Sequence, residues 1–180
     1  MSRYWPQGVI HAFEPVPALY KKLLRLKMPY HNVTFYPVAL GDRIGTATMY
    51  LSTHTADPYE NFASSSLLEP KEHLTYAPYI LFNDTIQVPV TTLDAWAEKH
   101  GVDHVDFMWL DMQGYELPAL MSGLKILATT RVIVLEVEFV EAYKGQYLFD
   151  DVKLFLEKHG FTFMGLVTDY GWCGDALFIR

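Results

Sequence analysis

The chain carries a single cysteine, Cys173, among 180 residues. One thiol cannot close an intramolecular disulfide, so disulfide-stapled secreted scaffolds are excluded and a reducing, cytoplasmic setting is expected. By default such a thiol is a small buried hydrophobe. No apolar run reaches the length of a membrane span. The opening residues, Met1 to Gly8, lack the apolar core of a secretory signal. Positive charge is scarce: 14 Lys and Arg stand against 21 Asp and Glu, a net charge of -7. That balance, with no visible basic patch, argues against nucleic acid as the main partner. Several chemical signatures are missing too. No Gly-x-Ser-x-Gly elbow surrounds Ser64, Ser65 and Ser66, which argues against a serine nucleophile. His54, His73 and Cys173 show no metal-ligand spacing, and no metal is expected. No Gly-x-Gly-x-x-Gly precedes Glu14, which speaks against a nicotinamide-binding protein.

What is present is a globular composition, 51% hydrophobic with turn residues spread along the chain. The length fits one domain, residues 1–180, with a sizeable core. Strand and helix patterns alternate. Val9 to Phe13 is a short apolar run ending at Glu14. Pro15 and Pro17 open a helix that continues from Ala18 to Lys27, with Leu19 and Leu23 inward. Val33 to Leu40 reads as the next strand, with Gly41-Asp42 as its turn, and Thr46 to Leu51 returns antiparallel. Ser52 to Asn83 is irregular, with a short helix around Lys71 to Tyr76; a loop of that length is usually functional or mobile, and a lid is expected. Ile86 to Val90 is a strand, and Thr91 or Thr92 caps a helix that Gly101 ends. Leu93, Trp96, Ala97 and His100 line one face of it. Leu148 to His159 is an amphipathic helix, and Phe161 to Val167 and Ala176 to Ile179 are the last strands. The alternation implies an α/β sandwich with a mostly parallel sheet.

The centre of the pattern is Val105 to Glu116, a buried strand, a tight turn at Gly114 and the start of a helix. Leu117, Leu120, Met121 and Leu124 give that helix an inward face. Asp111 falls at the carboxyl end of the strand, the edge where open α/β sheets bind ligands. A second buried strand, Arg131 to Glu138, carries Glu136 and Glu138 at the same end, on one face because strand side chains repeat every two residues. Carboxylates gathered there raise one another's pKa and can furnish a general base. Glu116 is open to two readings: a catalytic group, or an acid that compensates the helix dipole.

Trp109-Leu110-Asp111-Met112-Gln113-Gly114-Tyr115-Glu116 resembles the hydrophobic-Asp-hydrophobic-Glu-Gly-aromatic-Glu signature of the FkbM family. Phe13-Glu14-Pro15, Val38 to Asp42, Ser64 to Leu67, Val88 to Asp94 and Leu135 to Glu138 match in the same order. The resemblance implies a Rossmann-like class I methyltransferase sheet with an antiparallel C-terminal strand. It also implies S-adenosylmethionine as cofactor and methylation of a hydroxyl on a sugar, polyketide or related small molecule. Carried over residue by residue, Glu14 would meet the ribose, Ala39, Leu40 and Gly41 the adenine, and Asp111 the region of the methyl donor, with Pro15 and Met112 also in the cofactor-binding set. Asp111, Glu136 and Glu116 are the catalytic candidates, and Ser65, Ser66 and Glu138 the candidates for substrate contact. Glu14 retains a second reading, a carboxylate at a helix N-terminus.

The chain departs from the family pattern at three places. Trp109 stands where the family often has Lys, and Gln113 where it often has an acid. The family's first strand and Gly-rich turn are missing. That strand would lie between the Val9–Phe13 and Val105–Leu110 strands. A truncated or misplaced start, a degenerate protein or a partner-supplied strand would each explain this, and truncation is the expectation. The missing turn also supports a rival reading, a non-catalytic α/β binding module or a remnant that has lost its cofactor.

Overall fold

The computed structural model describes residues 4–26, 31–57 and 61–180. Among the described residues nine strands and six helices follow in the order β1 (Ile10–Phe13), α1 (Pro17–Leu26), β2 (Val33–Tyr36), β3 (Ala39–Leu40), β4 (Gly45–His54), α2 (His73–Tyr76), β5 (Ile80–Thr91), α3 (Leu93–His100), β6 (Phe107–Leu110), α4 (Glu116–Met121), α5 (Leu124–Leu127), β7 (Val132–Glu138), α6 (Phe149–Lys158), β8 (Thr162–Asp169) and β9 (Cys173–Ile179). The expected end of the first helix, Lys27, lies outside the described residues, as do residues 58–60 of the long loop.

The chain is mixed α/β, but its strands do not form one mostly parallel sheet. Among the described residues they make three: β1-β2, β3-β5-β4 and β6-β7-β9-β8. Pairs β1-β2, β3-β5 and β6-β7 are parallel, and β4-β5, β7-β9 and β8-β9 antiparallel. The antiparallel C-terminal strand is thus present as β9. The single strand expected over Val33 to Leu40 is two. Pro37, which has no N–H to give a ladder, falls at the break: β2 pairs with β1, and β3 crosses to β5. Among the described residues β1 is bonded on its β2 side alone and β6 on its β7 side alone.

The main core lies on one face of β6 and β7. Met108 and Leu110 of β6 and Ile133, Leu135 and Val137 of β7 alternate inward and pack against Leu93, Trp96, Leu117, Leu120, Ile126, Leu127 and Leu156 from the helices. The other face of β6 carries the half-buried Phe107 and the 54% exposed Trp109. A smaller core joins Val16, Ala39, Met49, Val88 and Val90. Leu120 has no exposed surface. Leu120→Ala is therefore expected to destabilise the fold by about 2–5 kcal/mol, read by urea denaturation, since the helix cannot collapse fully onto the space left.

Local chemistry sets the helix ends. Thr92, not Thr91, caps α3 by accepting the Ala95 N–H at 3.2 Å, and Gly101 closes it at φ +67°. Asp94, in the first turn of α3, accepts the Lys125 and Ile126 N–H groups at 3.1 and 3.0 Å, at the start of α5. The continuous helix expected after Glu116 breaks at Ser122-Gly123. A Cβ on Gly123 would lie 2.5 Å from Leu93 Cδ2, so the glycine lets α3 come close. The break turns Met121 and Leu124 outward, and Ile126 and Leu127 fill the core instead.

Candidate functional site

β6 ends at Leu110, and Asp111 follows with its side chain exposed. Gln113 and Gly114 then adopt positive φ in succession, +55° and +88°. Two left-handed residues reverse the chain within one step, and only Gly114 does so without side-chain strain. The close approach is also tight: a Cβ on Gly114 would lie 3.3 Å from both Gln146 Cβ and Tyr143 Cδ2.

Glu116 braces this turn. It is buried, and its Oε1 accepts the Met112 N–H at 2.6 Å. Burial pushes its pKa to about 7; backbone N–H groups at Glu116, Met112 and Gly114 hold it down, and Asp111 pushes it up. The structure adds a third reading of Glu116: its carboxylate caps the turn that carries Asp111 and Gln113.

Gln113 occupies the middle. Its Nε2 donates to Asp111 Oδ1 at 2.8 Å and to Glu136 Oε2 at 2.5 Å. Its Oε1 lies 2.8 Å from the Tyr143 hydroxyl, which also approaches the Ser64 carbonyl at 2.9 Å. The Gln113 carbonyl accepts the Ser66 hydroxyl at 2.7 Å. Asp111 and Glu136, from neighbouring strands, are thus joined through one amide.

The expected carboxylate cluster is real. Glu136 is raised to about 10, first by burial and then by Asp111, Glu138, Glu116 and Asp175. Glu138, 3% exposed, is raised to about 9 by burial, then by Glu116 and Asp111. Both therefore hold a proton at neutral pH. Tyr143 and Cys173 feel the same field: burial and the surrounding carboxylates raise the Tyr143 hydroxyl and take the Cys173 thiol to about 12. Cys173 is buried and free, as a lone thiol should be.

Other candidates lie apart or face inward. Glu14 Oε1 accepts the Val16 N–H at 2.7 Å at the entry to α1, the helix-terminus reading; burial raises its pKa against that bond. Pro15 is half-buried beside it. Ala39 belongs to the smaller core and Leu40 to the larger. The Gly41 N–H donates to the Thr91 carbonyl at 2.9 Å, and a Cβ there would meet Val90 Cγ1 at 2.6 Å. Met112 is half-buried against the main core. Ser65 Oγ accepts the Ser52 N–H at 3.0 Å, while Ser66 Oγ also accepts the Leu68 N–H at 3.0 Å. Both serine hydroxyls are thus engaged within the protein.

The long loop is fastened down. Lys71 pairs with Glu141 and Lys144 with Glu69, and the Lys71 and His73 N–H groups both donate to the Ala142 carbonyl. A cavity of about 320 Å³ opens beside the turn, lined by Asp42, Leu68, Gly114, Tyr115, Pro118, Met121, Gly145, Gln146 and Tyr147. Tyr115 donates across it to Asp42 Oδ1 at 3.0 Å. Sequence reading missed Tyr143, Gln146 and Tyr147, which belong to an irregular segment with no periodicity to flag them. No His, Cys, Asp and Glu grouping among the described residues forms a metal site. No helix there is long and apolar enough to cross a membrane.

An acid at the carboxyl end of a strand, followed by a glycine turn and a helix, matches the edge at which open α/β sheets in general bind ligands. The chain belongs to the Methyltransferase FkbM domain family, whose sequence profile matches residues 1–163. It is similar to the 2-O-methyltransferase NoeI of Sinorhizobium fredii (strain NBRC 101917 / NGR234), with 30% identity over 141 residues, 78% of this chain. The chain spans 58% of that curated relative's length. No solved structure matches it.

Proposed function

We propose that the protein is a cytoplasmic S-adenosylmethionine-dependent O-methyltransferase acting on a hydroxyl of a sugar, polyketide or related small molecule, built on a Rossmann-like arrangement. The carrying observation is Asp111, an exposed carboxylate at the end of β6 whose half-buried neighbour Glu136 holds its proton to about 10. The family and the 2-O-methyltransferase name of the relative support the class of reaction.

S-Adenosylmethionine, when bound, supplies an electrophilic methyl group on a sulfonium. The residues present fit it in part. Glu14 Oε2 has no protein donor among the described residues and can accept from a ribose hydroxyl. Ala39 and Leu40 give a buried apolar support rather than side chains aimed at a ligand. At the other end Asp111 orients the acceptor hydroxyl and receives its proton. Glu136 and Glu138, kept neutral, surround Asp111 without adding charge. Alignment of the two reactants does much of the remaining work.

Two measurements test this. Calorimetric titration of the chain with S-adenosylhomocysteine is expected to show saturable binding. Transfer of labelled methyl from S-adenosylmethionine is expected to a member of a panel of mono- and oligosaccharides and polyketide alcohols. A folded chain that binds no S-adenosylhomocysteine would return the protein to the rival class, an α/β binding module without cofactor.

A further inference from the structure

We propose that Gln113 is a positioning residue for methyl transfer: its side-chain amide clamps the Asp111 and Glu136 carboxyl groups into one fixed pair and so sets which Asp111 oxygen faces the acceptor. The inference rests on the methyltransferase reading for its catalytic half and on geometry alone for the clamp.

The geometry is specific. An amide nitrogen has two hydrogens, and Gln113 directs them to two different carboxyl groups, Asp111 Oδ1 and Glu136 Oε2. With Oδ1 held, Oδ2 is left for a substrate. The amide oxygen faces the Tyr143 hydroxyl, and the Gln113 carbonyl takes the Ser66 hydroxyl. These contacts hold the side chain from β7 and from the segment after β7, and the backbone from the loop before α2. The placement requires a left-handed backbone at φ +55°, uncommon for a residue with a side chain.

The residue type matters as much as the place. The groups around the clamp are acids on every side: Asp111 after β6, Glu116 on α4, Glu136 and Glu138 on β7, Asp175 on β9, with Tyr143 and Cys173 beside them. An acid at position 113 would add another carboxyl to that set and, when ionised, could donate to neither neighbour. Glutamine is the isosteric residue that donates twice and carries no charge.

Two variants and two readouts test the clamp. In the full chain, carboxyl-carbon NMR resonances of Asp111 and Glu136 are followed in wild type, Gln113→Leu and Gln113→Glu. Loss of the donor in Gln113→Leu is expected to shift the carboxyl-carbon resonances of both Asp111 and Glu136 at pH 7, because a hydrogen bond to each is gone. A well-folded Gln113→Leu whose Asp111 and Glu136 carboxyl resonances superimpose on wild type overturns the clamp. Kinetically, with an acceptor from the sugar panel, Gln113→Leu is expected to lower kcat by about 10- to 100-fold, with KM for S-adenosylmethionine within about twofold. Gln113→Glu is expected to lose more at pH 8 than at pH 6, where protonation of the introduced carboxyl restores one donor. Equal losses at both pH values, or a loss confined to KM, overturn the positioning role. Failure of the wild-type chain to methylate any acceptor would sink the methyltransferase reading and the catalytic half with it, and the carboxyl resonances would still decide whether the clamp exists.

Discussion

Asp111→Asn is expected to lower methyl transfer by about 10²- to 10⁴-fold and to leave the chain folded. The effect on rate follows from where the group stands. Among the acids at the carboxyl edge of β6 and β7, Asp111 is exposed, whereas Glu136 is half-buried and Glu138 buried, and desolvation raises both well above the ordinary carboxylate value. A group that keeps its proton to about 9 or 10 is a poor acceptor at pH 7, which leaves Asp111 as the acceptor we propose among these acids. Asparagine keeps the shape and an oxygen for the Gln113 amide, but it has no basic oxygen to offer. The fold survives because no backbone group depends on the Asp111 side chain in the described hydrogen bonds; the turn is held by Glu116 and Ser66. The variant also removes a charge that raises Glu116, Glu136 and Glu138, so its stability at neutral pH should not fall. Initial rates of labelled methyl transfer, with circular dichroism to confirm the fold, decide the matter. Unchanged turnover would take Asp111 out of the mechanism.

The parts of this site that the sequence exposes are those written in a period. Asp111 and Glu136 are found by counting along buried strands to their carboxyl ends, because an apolar run bounded by a turn announces a strand whatever surrounds it. Thr92 and Gly101 are legible for a similar reason, since helix ends use local chemistry. The arrangement around Gln113 is not periodic. It joins residues 64, 66, 111, 136 and 143, and the Tyr143 contact comes from a segment with neither helical nor strand spacing. The sequence marks Gln113 only as a departure from the family's acid, and nothing in that departure says that the amide would bridge two carboxyl groups. Glu116 shows a different limit. Its position in the first turn of α4 is visible, but its carboxylate turns back to the Met112 N–H, a contact that depends on the positive φ of Gln113 and Gly114. The separation of β3 from β2 was hidden in a single residue, Pro37, whose place at the β2–β3 break becomes a change of sheet only once β5 is there to receive β3.

Glu136→Gln is expected to stabilise the protein increasingly as pH rises. The folded protein holds the Glu136 proton up to about 10, chiefly because of burial, whereas an unfolded chain releases it near the ordinary value of 4.5. Between those values the folded state binds more protons than the unfolded one, so stability falls with rising pH. The contribution is fully present below about pH 4.5 and is lost progressively toward pH 10. Glu138 and Glu116, raised to about 9 and about 7, add the same slope over narrower ranges. Glutamine at 136 keeps an oxygen for the Gln113 amide and has no proton to lose. It should therefore gain about 1–3 kcal/mol over wild type at pH 8, a conservative share of the 1.36 kcal/mol per pH unit that linkage allows. Thermal melts at pH 5.5, 7 and 8.5 would show Tm curves that nearly meet at the acid end and separate by about 3–10 °C at the alkaline end. A Glu136→Gln variant less stable than wild type at every pH would mean that Glu136 is ionised and paired in the folded protein. Asp111 would then no longer be singled out as the proton acceptor, because its neighbour would be equally able to serve.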